Sequence, residues 1–422
     1  MITVVDAIMG SGKSSAAITY MNEHSDQKFI YITPYLEEGA RIKNACPDLN
    51  FIEPEANTKS RGSKLVHTHQ LIKEGCNITT THAAFLRYGD DLLDAIRQHH
   101  YTLIIDEDVA TMQTVPVSKN DLSLLVKAGM IHIDNDGHVT VSEGVVSGTR
   151  YDDILSHLKS HSLEFIYWDK TQSATYMLWL TPPEVITAFD DVFVLTYLFK
   201  GADLYKMFQI YGIEFSYGGI HRNEDGTYRF TDHVDYIPSY VPHLAEKIHL
   251  VDDKSPIDPD RMNLVGRKPK ALSSSWFQSM THRDEVNQLR SNIGNFFNNR
   301  YHGIDPACRM WTTYEKYKPL LKGKGYTKGF VPFNARATNN LRHKTHLAYC
   351  VNVFLHTWHR NCYQSCGFPV TEEEENQYSL GVLVQWIWRS AIRDGGDIWL
   401  YLPSSRMRGL LKDWMNSLRE GV

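Results

Sequence analysis

The first two dozen residues constrain this 422-residue chain more than any others. Met1-Ile2-Thr3-Val4-Val5-Asp6 is a short run rich in β-branched residues, the pattern of a buried strand. Ala7-Ile8-Met9-Gly10-Ser11-Gly12-Lys13-Ser14-Ser15 follows at once, and Ala16-Ala17-Ile18-Thr19-Tyr20-Met21 then reads as helix. Strand, glycine loop, Gly-Lys-Ser and helix in this order predict a phosphate-binding loop inside a parallel α/β domain. The glycines let backbone N–H groups close around phosphate oxygens at a helix N-terminus. Residues Met9, Gly10, Ser11, Gly12, Lys13, Ser14 and Ser15 are therefore assigned to a bound nucleotide. Lys13 reaches the β- and γ-phosphates, and the Ser14 hydroxyl goes to Mg²⁺. Ala7 stands where such loops usually begin with glycine, a small-for-small exchange. The plainer reading is a glycine-rich turn with a surface lysine, and correct flanking on both sides argues against it.

A nucleotide site needs a second half, an apolar strand ending in acids. Tyr101-Thr102-Leu103-Ile104-Ile105-Asp106-Glu107-Asp108 supplies it. Asp106 at the strand end would hold Mg²⁺, and Glu107 would polarise the attacking water. Alone, such acids are as often a helix cap; paired with the glycine loop they predict an ATPase or GTPase domain. Residues 28–34 and 76–82 read as further parallel strands, ending at Thr33-Pro34 and at Thr79 to His82. Asp191 to Phe199 is another core strand, with Thr196 near its end. Hydroxyls at such ends lie on the phosphate-loop edge, where they suit either a phosphate backbone or ordinary capping. Strand–helix alternation through residue 200 predicts a doubly wound parallel sheet.

Composition limits the classes of protein. Lys and Arg number 44 against 49 Asp and Glu, a net charge of −5, so the chain is not basic throughout. A local basic track would still suffice for nucleic acid. No apolar run approaches the roughly 20 residues of a membrane helix, and the N-terminal residues lack signal-peptide character. Six irregularly spaced cysteines suggest no disulfide framework, and the expected setting is a reducing cytoplasm, that of the host if the chain is viral.

Turn signals dominate residues 216–265, which are expected to form a linker or inserted hairpin between a domain at 1–215 and another at 266–422. Between Arg309 and Lys344 nine basic residues face one acid, Glu315, and Tyr314, Tyr317, Tyr326 and Phe330 interleave with them. Charge with π-faces suits a nucleic-acid track, the alternative being a solvated basic helix. Residues 371–394 read as one helix, with Thr371 and Glu374 as a capping box and Leu380, Leu383, Val384, Ile387, Trp388, Ala391 and Ile392 as an apolar stripe. Gln385, Arg389 and Arg393 fall one turn apart beside that stripe, suited to gripping a γ-phosphate. His356, His359, Cys362 and Cys366 tempt a zinc reading, but their spacing matches no known ligand motif.

The series Gly-Ser-Gly-Lys-Ser, Asp106-Glu107-Asp108 and Gln385 to Arg393 resembles the superfamily 2 helicases, and Gly329 to Asn339 resembles their motif V. Asn-Ala-Arg-Ala-Thr-Asn followed by Gln-x-x-x-Arg-x-x-x-Arg is most similar to phage-encoded replication helicases, distantly similar to the herpesvirus origin-binding helicase. The resemblance implies two RecA-like doubly wound domains with a nucleotide cleft between them, and ATP and Mg²⁺ as cofactors. It puts Lys13, Ser14, Asp106 and Glu107 on ATP–Mg²⁺, with Gln385, Arg389 and Arg393 reaching it from the second domain. Thr33, Thr79, Thr196, Arg336, Thr338 and Asn339 would contact nucleic acid or couple the domains. The implied partners are single-stranded or forked DNA, or RNA, and a replication loader or single-strand-binding protein. Three features depart from the pattern: Asp-Glu-Asp-Val as the acid motif, Leu195-Thr196-Tyr197 where Ser/Thr-Ala-Thr is usual, and no adenine-reading glutamine motif before the loop. The expected activity is an ATP-dependent helicase or translocase. The alternatives are a DNA-packaging motor and an origin- or single-strand-binding module with weak ATPase.

Overall fold

A computed structural model describes residues 1–420 apart from 35, 57–63, 87, 135–138, 146–147, 150, 153, 156–163, 169–173, 234–235, 252–261 and 336–338. The chain is a mixed α/β protein built on parallel sheets, and it forms two compact units. The first comprises Met1–Ile8, Gly12–Asp235 and His356–Thr371; the second comprises Met9–Ser11, Tyr236–Leu355 and Glu372–Val422.

The first unit is organised by a seven-stranded sheet. Its strands are β1 (Ile2–Asp6), β2 (Lys28–Thr33), β3 (Ile78–Thr81), β4 (Tyr101–Asp106), β10 (Asp191–Thr196), β11 (Ser216–Arg222) and β12 (Tyr228–Thr231), in the spatial order β12-β11-β1-β10-β4-β2-β3. Every neighbouring pair is parallel except β11 and β12, which form an antiparallel hairpin at the edge. The central strands read as continuous apolar runs because both sheet faces are covered; Val4, Ile30, Ile32, Leu103, Ile105 and Val194 join one core. Register aligns the strand ends: Asp6 pairs with Thr196, Leu195 with Asp106, and Thr33 with Thr81. The polar ends therefore gather on one edge, the usual place for a ligand site in such a sheet.

Strand–helix alternation does not continue unbroken to residue 200, as the sequence suggested. Between β4 and β10 the chain builds an antiparallel three-stranded sheet, β5 (Met112–Ser118), β9 (Ala174–Leu180) and β8 (Glu164–Trp168), and a small hairpin, β6 (Ile131–Ile133) with β7 (Val139–Val141). Short strands with turn residues between them carry little helical periodicity, and that was the missed signal.

Of the linker or inserted hairpin expected over 216–265, residues 216–231 form the β11–β12 hairpin, whose β11 joins the first sheet in parallel with β1. The second unit holds a four-stranded parallel sheet, ordered β13 (Ile248–Leu250), β16 (Ile398–Tyr401), β15 (His346–Tyr349), β14 (Arg309–Thr312). Trp311, Ala348 and Tyr401 from this sheet pack with Leu289, Ile293 and Phe297 of the Arg283–Asn295 helix and its extension. No helix among the described residues is long and apolar enough to cross a membrane.

Candidate nucleotide site

The loop after β1 has the backbone that its glycines allow. Gly10 and Gly12 take φ of 79° and 101°, values that L side chains rarely adopt. Gly12 is the N-cap of the Lys13–Glu23 helix, and no side chain among the described residues caps that end. The amides of the first turn are left for a ligand. Ser11 Oγ is enclosed, with no hydrogen-bond partner among the described residues. Lys13 turns its ammonium onto the carbonyls of Ala7 and Ile8, the latter at 3.1 Å. Burial pulls its pKa down to about 8, against the attraction of the Asp106, Asp6 and Glu107 carboxylates. An anion in the loop would reverse that shift. Left-handed glycines, open amides, a buried hydroxyl and a desolvated ammonium together form a donor set that fits a polyphosphate.

The acid strand meets this loop. Ser14 Oγ donates to Asp106 Oδ2 at 3.4 Å, and the Tyr31 hydroxyl donates to the same oxygen at 2.8 Å. Burial raises the Asp106 pKa, while Tyr31, Lys13 and Ser14 hold it down. Ser14 and Asp106 offer two oxygens that could hold a divalent cation, with the Tyr31 hydroxyl bonded to the same carboxylate oxygen. His82 Nε2 lies 2.9 Å from the Asp106 carbonyl oxygen and ties β3's end to β4's. Glu107 is exposed and left-handed at φ 66°, and its amide donates to the Leu195 carbonyl at 3.0 Å. A non-glycine residue in that conformation costs on the order of 1 kcal/mol.

Other expected residues distribute unevenly. Thr33 and Thr196 are buried at their strand ends. Thr79 is buried within β3, its hydroxyl packed where a Cβ on Gly39 would lie, so it offers no exposed group. Arg336 and Thr338 lie outside the described residues, and Asn339 opens a short 3-10 turn, Asn339–Leu341. Ser15 follows Ser14 in the first helical turn, where its carbonyl accepts from Thr19.

The helix expected over 371–394 ends at Trp388. Ser390 is extended, its hydroxyl bonds the Ile387 carbonyl at 2.7 Å, and the Ala391 amide bonds the Lys344 carbonyl at 2.9 Å. The serine competes for a helix carbonyl and lets the chain leave the spiral, after which Ala391–Asp394 makes a 3-10 turn. Gln385 is thus helical, Arg389 sits at the break and Arg393 lies beyond it, exposed, so the one-turn spacing is not realised.

The basic track is also redistributed. Arg309 is buried and bonds Asn298 Oδ1 at 2.8 Å and the carbonyls of Gly325 and Ile304. Lys344 bonds the Ala307 carbonyl, Arg342 pairs with Asp394 at 2.9 Å, and Tyr317 and Tyr326 are core residues. Lys322, Lys324 and Lys328 remain exposed. His356 accepts the Trp358 amide as N-cap of the Thr357–Ser365 helix, and Cys362 is buried on it.

Tyr31, inside an ordinary apolar run, carries no motif, and His82 was expected at its strand end without a role. Sequence reasoning missed a polar cluster behind Asp106. Asp108 accepts from the amides of Asp203 (3.1 Å) and Leu204 (3.4 Å), and Asp203 Oδ1 accepts from the Tyr363 hydroxyl at 3.0 Å. Burial pushes both carboxyls upward, and for Asp108 the neighbouring Asp203 charge adds to the push.

The fold is that of a two-unit α/β protein with parallel sheets, with a glycine loop and polar strand ends at one edge of the first. Residues 242–415 match the family model of the YonV C-terminal Rossmann-like domain. The chain is 33% identical over 430 aligned positions to the SPbeta prophage-derived protein YonV of Bacillus subtilis (strain 168), covering 99% of both chains. It belongs to the YonV family. Solved structures of an XPD helicase (TM-score 0.42, 11% identity, 98% of this chain and 94% of that one) and of S. tokodaii Xpd4 (TM-score 0.42, 10% identity, 98% and 93%) are more distantly similar. Similarity at that level says nothing about activity.

Proposed function

We propose that this protein is an ATP-dependent nucleic-acid motor, a helicase or translocase acting on phage DNA. The observation that carries the reading is the convergence of Lys13, Ser14 and Asp106 at one sheet edge, below a glycine loop with open amides. In this reading the loop amides, Ser11 and Lys13 bind the β- and γ-phosphates. Ser14 and Asp106 hold Mg²⁺, which when bound neutralises charge developing on the transferred phosphoryl. Glu107 accepts the proton of the attacking water. Gln385, Arg389 and Arg393 of the second unit are assigned to the γ-phosphate, where a guanidinium stabilises the charge that develops. Thr33, Thr196, Arg336, Thr338 and Asn339 are the candidates for contact with the strand or for coupling, with Lys322, Lys324 and Lys328 adding exposed positive charge. The prophage origin of the B. subtilis relative fits a role in phage DNA replication or recombination, with a loader or single-strand-binding protein as partner.

The test is steady-state ATP hydrolysis with and without single-stranded DNA, with Lys13→Ala as blank. Strong stimulation by the strand is expected. Turnover indifferent to DNA would remove the motor reading, and strand binding without turnover would replace it by a binding module.

A further inference from the structure

We propose that Tyr228, with Arg222 beside it, is the platform on which the base of a bound nucleotide stacks. This rests on the reading of the glycine loop as a polyphosphate site and adds its nucleoside end. The direction of the nucleotide follows from the sheet. Asp106 ends β4, and Ser14 faces it, so the metal and the γ-phosphate lie toward the β10–β4 side of β1. The phosphate chain therefore leaves the loop toward the other side of β1, which is occupied by β11 and β12. There the Tyr228 ring lies against the loop itself: a Cβ built on Gly12 would fall 2.4–2.8 Å from Cδ1, Cε1 and Cγ of the ring. Only glycine at position 12 lets the ring come so near the residue preceding Lys13.

The hairpin that carries the ring is fixed to the Lys13–Glu23 helix. Phe230 stacks on Phe193 at 4.8 Å and lies 5.9 Å from Tyr20, and Arg229 pairs with Glu23 at 2.5 Å. Tyr228 itself is half-buried, and the exposed Arg222 places its guanidinium 5.8 Å from the ring centroid. An exposed guanidinium beside a half-buried aromatic ring is a pair that a purine can join, either by displacing the guanidinium or by taking it on its second face. Stacking reads no base edge, so the platform favours purines over pyrimidines without separating adenine from guanine.

The experiment is calorimetric titration of the full chain with Mg–ATP and, separately, with Mg–tripolyphosphate, which has the phosphates and no base. Tyr228→Leu keeps apolar bulk against Gly12 and removes the π-face; Tyr228→Phe keeps both, and a melting curve confirms that each variant is folded. The inference predicts a loss of ATP affinity of roughly tenfold or more in Tyr228→Leu, unchanged tripolyphosphate affinity, and wild-type behaviour in Tyr228→Phe. ATP affinity unchanged in Tyr228→Leu overturns it. Equal losses for both ligands also overturn it, since the ring would then only support the loop. If the wild-type chain binds neither ligand, the phosphate-loop reading fails and takes the platform with it. Binding of ATP by wild type with no effect at position 228 spares the loop reading and sinks the platform alone.

Discussion

The loop-and-acid edge of the first unit and the basic stretch of the second both read as ligand-binding in the sequence, and the structure treats them differently. At the first edge the polar groups converge: Ser14 and Tyr31 meet on one oxygen of Asp106, and Lys13 lies beside them. In the second unit the charges disperse into the scaffold, Arg309 onto three backbone and side-chain acceptors and Arg342 onto Asp394. The difference is one of locality. A strand, six loop residues and a helix N-terminus fix one another within a single short stretch of chain, so the motif determines its geometry. A basic run over several short elements does not determine which side chains face solvent. Cationic side chains with long apolar stems are as useful for tying loops together as for meeting phosphate.

The contrast can be broken most sharply at Lys13. Lys13→Ala is expected to abolish ATP turnover, a loss beyond roughly 10³-fold, with the melting temperature little changed, because among the described residues Nζ bonds two loop carbonyls. Turnover within tenfold of wild type would place the chemistry elsewhere. Next come the arginines. Removal of either is expected to spare ATP binding and cut hydrolysis by roughly 10³-fold. The helix break separates them, however: Arg389 has an enclosed Nη1 and Arg393 is exposed. Arg389→Ala should therefore also lower the melting temperature, and Arg393→Ala should not. Unchanged single-turnover rates in both variants would remove them from the site.

Tyr31→Phe tests the support of the metal carboxylate. Loss of a hydrogen bond to a charged group is worth about 1.5–3 kcal/mol, so turnover should fall roughly tenfold or more and recover partly at high Mg²⁺. A fall that Mg²⁺ does not relieve would make Tyr31 a core residue only. In the second unit, Lys322→Ala, Lys324→Ala and Lys328→Ala together should flatten the salt dependence of single-strand binding, by up to about one unit of slope for each lysine–phosphate pair removed. Arg309→Ala should instead lower stability. An unaltered salt slope in the triple variant would leave no track in this stretch.

The smallest expected effect is on pH. Asp108 and Asp203 have pKa values raised by burial, so the folded state holds protons that the unfolded chain releases near pH 4. Their contribution to stability is present at acidic pH and is lost as pH rises through the raised values. Asp203→Asn keeps an acceptor for Tyr363 and removes one charge, so the melting temperature should fall less between pH 5 and 8 than in wild type. An identical slope would show that these carboxyls do not titrate with folding.

Much of the first sheet was legible, because its strands are apolar runs ending in chemistry-bearing residues, and β1, β2, β3, β4 and β10 fall where those runs lie. The inserted antiparallel strands were not, since short strands give no lasting period. Nor could the sequence show that one serine hydroxyl would interrupt a helix whose apolar stripe continues through Ile392. At the site, the residues in the motifs were visible. The bonds that Tyr31 and His82 make to Asp106 were not, because these residues are far from Asp106 in sequence.

The stretch His356–Thr371 belongs to the first compact unit although residues of the second flank it on both sides. Tyr363 reaches Asp203, and Lys206 reaches the carbonyls of Phe368 and Pro369. During synthesis these contacts of Asp203 and Lys206 thus cannot form when the first unit's own strands have emerged; they must wait until most of the second unit has left the ribosome. Contacts so distant in sequence raise contact order, and the wait exposes an unfinished surface to aggregation. It also means that the matched Rossmann-like region, 242–415, excised on its own would carry a helix whose burial partners are missing.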